Sequence, residues 1–175
     1  MSKTKQIALC AVMIALALAL SYTERFIPLQ LVIPLPGVKL GLANIVTLVA
    51  LYLLKPKHAF MILIPRCVLG AIFGGGITGL LFSLCGGVLA LLAMTATKKA
   101  PLFSIYGVSI LGAAAHNVGQ ILSAMLLMRS VYVAAYLPYL LMISIFTGLL
   151  TGGACAGVLR IVKYAPISAS AEMSR

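Results

Sequence analysis

Long apolar runs, broken by short clusters of charge, proline or glycine, recur along the whole chain. Six of them approach the roughly 17–25 residues that carry a helix across a bilayer. They fall at about 5–22, 38–54, 58–74, 76–95, 104–128 and 136–161. The third is the shortest, because Gly74-Gly75-Gly76 leaves little room for a loop before the fourth. That glycine run permits a very tight hairpin or an unwound segment buried in protein. The pattern predicts an all-α integral membrane protein, a six-transmembrane-helix bundle forming one membrane domain over residues 1–175.

Composition points the same way. With 63% hydrophobic and 9% charged residues and a mean hydropathy of +1.18, the chain carries more apolar surface than one soluble core could hide. The net charge of +11 is scattered between apolar runs, which speaks against nucleic acid as a partner. It falls where membrane topology puts it. With a cytoplasmic N-terminus, the inner side holds Lys3, Lys5, Lys55, Lys57, Lys98, Lys99, Arg160, Lys163 and Arg175, and the outer side only Arg25, Lys39 and Arg129. Nine against three is a positive-inside bias with both termini inside. Lys3 and Lys5 ahead of an apolar, alanine-rich run also imitate a secretory signal peptide; in a polytopic chain we read it as an uncleaved span. Residues 165–175 read as a loose tail. Cys10, Cys67, Cys85 and Cys155 all lie within apolar runs without CxxC spacing, as packing residues rather than disulfides or metal ligands.

Against this background Arg66 stands out. An arginine at the centre of a spanning helix costs about 2.5–3.5 kcal/mol on insertion scales. The chain has no aspartate, and its glutamates, Glu24 and Glu172, lie outside the apolar runs. Arg66 is therefore expected to lack a carboxylate partner, leaving neutral acceptors or a ligand. Asn44, about 7–9 Å below Lys39 along a helix, is too deep to snorkel and needs an inner partner. His116, Asn117 and Gln120 sit together in the fifth run, with His116 and Gln120 one turn apart on one face and Ser123 extending the strip. Depth suggests that Arg66, Asn44, His116 and Gln120 line one polar pocket open to the outside. A satisfied core histidine is the plainer reading of His116. Ser144, Thr147 and Thr151 repeat at helical spacing, and such hydroxyls commonly bond their own backbone.

Ala8, Ala11, Ala15 and Ala19 form a small-residue stripe, which lets another helix approach closely. It reads either as internal packing or as a docking face. Between the first two runs, residues 22–37 hold three prolines yet stay strongly apolar. Such a segment either folds over the bundle as a lid or rests on lipid. With no aspartate and no membrane glutamate, the chain lacks an aspartate-rich Mg–diphosphate site, an acid/base pair and a carboxylate proton relay. It also lacks a Walker sequence to energise transport. The expectation is a protein that is not an enzyme and carries no metal or cofactor.

These features resemble the substrate-binding S components of energy-coupling factor transporters, over roughly residues 5–163. The carriers are Ala11-x-x-x-Ala15-x-x-x-Ala19, the proline-rich first loop and Pro36-Gly-Val-Lys-Leu-Gly-Leu-Ala-Asn44. That last segment, with Arg66-x-x-Leu-Gly-x-x-Phe-Gly-Gly, Leu81-Phe-Ser-Leu-Cys-Gly-Gly87 and Gly112-Ala-x-x-His-Asn-x-Gly-Gln120, more narrowly resembles the Gx transporter family. Its members are labelled heptaprenyl diphosphate synthase component I, and some relatives accompany flavin-based extracellular electron transfer. The resemblance implies an S-component-like fold in a bacterial plasma membrane and capture of an anionic or polar small molecule. It further implies a transmembrane coupling protein docked on Ala11, Ala15 and Ala19, with two cytoplasmic ATPases. The alternative it leaves open is a non-catalytic accessory subunit of a prenyl diphosphate, quinone or electron-transfer system.

Overall fold

The computed structural model describes residues 3–26 and 41–164. The expected lid segment over 27–40 and the tail over 165–175 lie outside the described residues. Helix α1 spans Lys3–Thr23 and runs into a short 3-10 turn, Glu24–Phe26. Then come α2 (Asn44–Leu53), α3 (Pro56–Gly70), a wide helical turn at Ala71–Gly75, α4 (Gly76–Lys99), α5 (Ile105–Met128), a 3-10 segment (Val131–Tyr136) and α6 (Leu137–Tyr164). No strand occurs among the described residues.

Four stretches are long and apolar enough to cross a membrane: Lys3–Thr23, Pro56–Lys99, Ile105–Met128 and Val131–Lys163. The second of these has 44 residues. As one straight helix it would reach about 66 Å, twice the roughly 30 Å hydrocarbon core. It instead reverses at the glycine run, where Gly74 and Gly76 take φ of +106° and +62° that a side chain disfavours. Leu63 and Arg66 of α3 then lie on Gly87 of α4, so the two arms form an antiparallel hairpin. Of the two readings of the glycines, the tight hairpin is the one observed.

The expected span 38–54 is corrected. Its helix is only the 10 residues Asn44–Leu53, about 15 Å long and half the hydrocarbon thickness. Residues 38–40 are outside the description, and Gly41, at φ +82°, precedes a turn in which the Asn44 amide bonds the Gly41 carbonyl at 2.8 Å. At the other end Lys55 is extended, as a residue before proline must be, and Pro56 opens α3. Val46, Thr47, Leu48, Val49, Ala50 and Leu51 are all buried. A helix apolar on every side belongs inside a bundle, and α2 is enclosed rather than lipid-facing. Lys98 of α4 donates to its Leu51 carbonyl at 2.7 Å, pinning the end of α2.

Helix α5 packs between α4 and α6, and glycines set the spacing. A Cβ on Gly119 would meet the Cys85 carbonyl and the Gly86 Cα at 2.7 Å, and one on Gly148 of α6 would meet the Ile110 Cα at 2.5 Å. These backbones touch because no side chain separates them. Ser109 of α5 and Thr151 of α6 share a hydrogen bond at 2.6 Å across the second seam. Ser144, Thr147 and Thr151 also donate to carbonyls three residues back in α6.

The polarity is inverted relative to a soluble protein. Asn44, Arg66, Ser109, His116, Gln120 and Thr151 are buried, whereas Ile72, Ile77, Leu126, Phe146 and Ile161 are exposed. Since α1 and α3 run parallel, and α4, α5 and α6 alternate against their neighbours, one end of the bundle gathers the cations. Lys3 and Lys57 start helices there, and Lys98, Lys99 and Lys163 end them. Arg129 closes α5 at the opposite end in a left-handed conformation, with φ of 48°.

Candidate functional site

Arg66 projects from the third turn of α3, immediately after Pro65, and is 6% exposed. It has this room because α4 presents Gly87, where a Cβ would come within 3.3 Å of Arg66 Nη2. That nitrogen donates to Asn44 Oδ1 at 3.1 Å. Asn44 opens α2 beside Gly41, and Gly41 in turn abuts His116. The imidazole is held between two glycines: a Cβ on Gly41 would lie 3.3 Å from His116 Cδ2, and one on Gly86 2.8 Å from Cε1 and Nδ1. Gln120 Nε2 sits 3.1 Å from His116 Nε2. Arg66, Asn44, His116 and Gln120, expected to line one polar pocket, form one contiguous buried strip drawn from α2, α3 and α5.

They do not all face the same space. A cavity of about 440 Å³ lies between the later turns of α1, α3 and the α4 side of the hairpin. Leu18, Ala19, Tyr22, Arg66, Gly70 and Ser83 are in its wall. Arg66 is the member of the strip that reaches it; Asn44 stands behind, and His116 and Gln120 stand behind Asn44. Asn117, expected at the site, turns away. Its amide donates to the Leu140 carbonyl at 2.9 Å and ties α5 to α6. Ser123 likewise bonds the Gly119 carbonyl at 2.9 Å instead of extending the strip.

The expectation that Arg66 has no acidic neighbour is corrected. Glu24 is buried at 6% exposure and lies within electrostatic reach of the guanidinium. Its Oε1 also accepts from the Leu42 amide, so the carboxylate ties the end of α1 to the entry of α2. The 3-10 turn after Thr23 directs Glu24 back into the bundle rather than outward. Its being the sole acid near an apolar run was the available signal. Even so, Arg66 is not saturated: its Nε is buried and meets no hydrogen-bond acceptor. A guanidinium presents five N–H donors, and Arg66, with that one enclosed and unmet, stands in the cavity wall. A cavity of this size, mostly apolar with a few fixed polar groups, has the form of a small-molecule site.

The alanine stripe touches the cavity only at Ala19. Ala8, Ala11, Ala15 and Ala19 are exposed, while Met13 and Ala17 on the opposite side of α1 pack into the bundle. Small residues there face outward and are not used for internal packing.

Apolar helices outside, a polar strip inside and a cavity at its edge define an all-helical protein suited to a membrane. The family model described as heptaprenyl diphosphate synthase component I matches residues 13–158, and the chain belongs to that family. No curated protein and no solved structure matches it.

Proposed function

We propose that this chain is the substrate-capturing membrane subunit of an energy-coupling factor type importer. Arg66 recognises an anionic or polar small molecule that arrives from outside. The observation that carries this reading is Arg66 itself, a charged residue in the wall of a 440 Å³ cavity, whose donors the bundle does not all consume, since its enclosed Nε has no acceptor in the protein. A purely structural arginine in a membrane bundle would have its donors consumed, because each unmet one adds to an already costly burial. Glu24 refines the ligand class. It offsets part of the guanidinium charge, so directed hydrogen bonds to a carboxylate, phosphate or comparable acceptor contribute more than net attraction.

In this scheme the cationic end faces the cytoplasm, with both termini inside. Helices α1, α3, α4, α5 and α6 serve as crossings, and the short enclosed α2 returns the chain to the cytoplasmic end as an incomplete sixth. The chain is non-catalytic. Energy comes from partners: a transmembrane coupling protein on Ala11, Ala15 and Ala19, whose outward exposure suits close helix approach, and two cytoplasmic ATPases.

The family description favours a second reading, an accessory membrane subunit of a prenyl diphosphate, quinone or flavin-based electron-transfer system. The chain itself has no aspartate for a metal–diphosphate site, so a synthase role would be non-catalytic. Mass spectrometry of the protein purified in mild detergent separates the two. A small polar compound enriched with wild type and lost in Arg66→Ala supports capture. A retained soluble prenyl synthase with no enriched compound supports the accessory role and defeats capture.

A further inference from the structure

The cationic end of the bundle carries a second hollow, of about 370 Å³, between the first turns of α1 and α3. Its lining is divided. Lys3, Gln6 and His58 stand at one end, and Ile7, Ile14 and Met61 form the rest of the trough. Lys3 is exposed, and His58 is half-buried in the wall. Along α1, Ile14 is about 16 Å from Lys3, 1.5 Å per residue, and that is close to one leaflet of a roughly 30 Å hydrocarbon core. A trough one leaflet deep, polar at the surface end and apolar below, matches a single phospholipid.

Charge selects the headgroup. Among the described residues the only acid is Glu24, at the far end of α1, so none of them sets a carboxylate beside Lys3. Lys55 and Lys57 flank Pro56 at the start of α3 and add to the same field. We propose that this groove is a binding site for an anionic phospholipid. Its phosphate is held by Lys3, Gln6 and His58, and one acyl chain lies along Ile7, Ile14 and Met61. Basic pockets between membrane helices near the surface select anionic headgroups in this way. The groove shares Ala11 with the α1 stripe but not Ala15 or Ala19, so lipid binding and partner docking are separable.

The test is native mass spectrometry of the full chain released from nanodiscs of equal phosphatidylglycerol and phosphatidylcholine. Wild type retains phosphatidylglycerol preferentially. Lys3→Gln lowers that preference about fivefold, the worth of one lysine at an anionic surface, and adding His58→Gln removes the remainder. Lys163→Gln, at the same end but on α6 outside the groove, leaves it unchanged. The proposal falls if wild type shows no preference. It also falls if Lys163→Gln costs as much as Lys3→Gln, because the general charge of that end would then be responsible. Should the double variant unfold, the exposed Lys3 position decides alone.

Discussion

Replacing Gly119 by alanine should loosen the seam between α4 and α5, by an amount the geometry allows to be worked out. The new Cβ would lie 2.7 Å from the Cys85 carbonyl oxygen and the Gly86 Cα, where ordinary contact begins at 3.4 Å. Both are backbone atoms, which cannot swing aside as a side-chain tip can. The helices must therefore part by about 0.7 Å along the seam. Overpacking of this kind costs about 1–3 kcal/mol. Alanine also gains about 0.8–1.0 kcal/mol of helix propensity over glycine, which masks part of the loss. Gly157→Ala supplies the control, because nothing lies within 4 Å of a Cβ there and the propensity gain is common to both. The difference between the two variants isolates the clash. In thermal unfolding of purified protein, Gly119→Ala should melt below Gly157→Ala by about 2–12 °C, taking 2–4 °C per kcal/mol for a chain of this size. Separation would also lift His116 off Gly86, one turn earlier on the same helix. Equal melting temperatures would refute backbone contact as the basis of the α4–α5 seam.

Two further substitutions probe the site and the stripe. Glu24→Gln keeps an oxygen to accept from the Leu42 amide while removing the negative charge that faces Arg66; capture of an anionic compound should strengthen several-fold, and unchanged or weaker binding in a titration would mean Glu24 does not oppose the ligand's charge. Ala15→Trp should abolish co-purification of a coupling protein while the isolated subunit keeps its melting temperature, because Ala15 is exposed on α1. A destabilised monomer would instead assign the stripe to internal packing.

What the sequence revealed depended on whether the signal was local. The long helices were legible from apolar runs broken by charge, and the three glycines at 74–76 marked the place of the hairpin without deciding between it and an unwound segment. Helix α2 was not, because an apolar residue reads alike whether it faces lipid or a neighbouring helix; the run suggested a full crossing where a short enclosed helix stands. His116 and Gln120, four apart, shared a face as their spacing required. Asn117 is adjacent to His116 in sequence but about 100° further round the helix, and it meets α6 instead. Arg66 and Asn44 each called for a partner, yet their mutual bond spans 22 residues and the reversal between α2 and α3, which no periodicity encodes. Glu24 was misjudged because a charged residue past the end of an apolar run ordinarily faces water, whereas the 3-10 turn returns this one to the interior.

The most direct test of ligand recognition by Arg66 is the affinity of the co-purifying compound for wild type, Arg66→Lys and Arg66→Ala, measured by equilibrium titration in detergent. Lysine retains the positive charge but lacks the planar fork of the guanidinium that stands in the cavity wall. Loss of a hydrogen bond to a charged group, about 1.5–3 kcal/mol, corresponds to roughly 10–150-fold in affinity. Arg66→Lys should fall by that order and Arg66→Ala further, with both proteins still folded. Equal affinity in all three would contradict recognition by the guanidinium and leave Arg66 as a strut between α3 and α2.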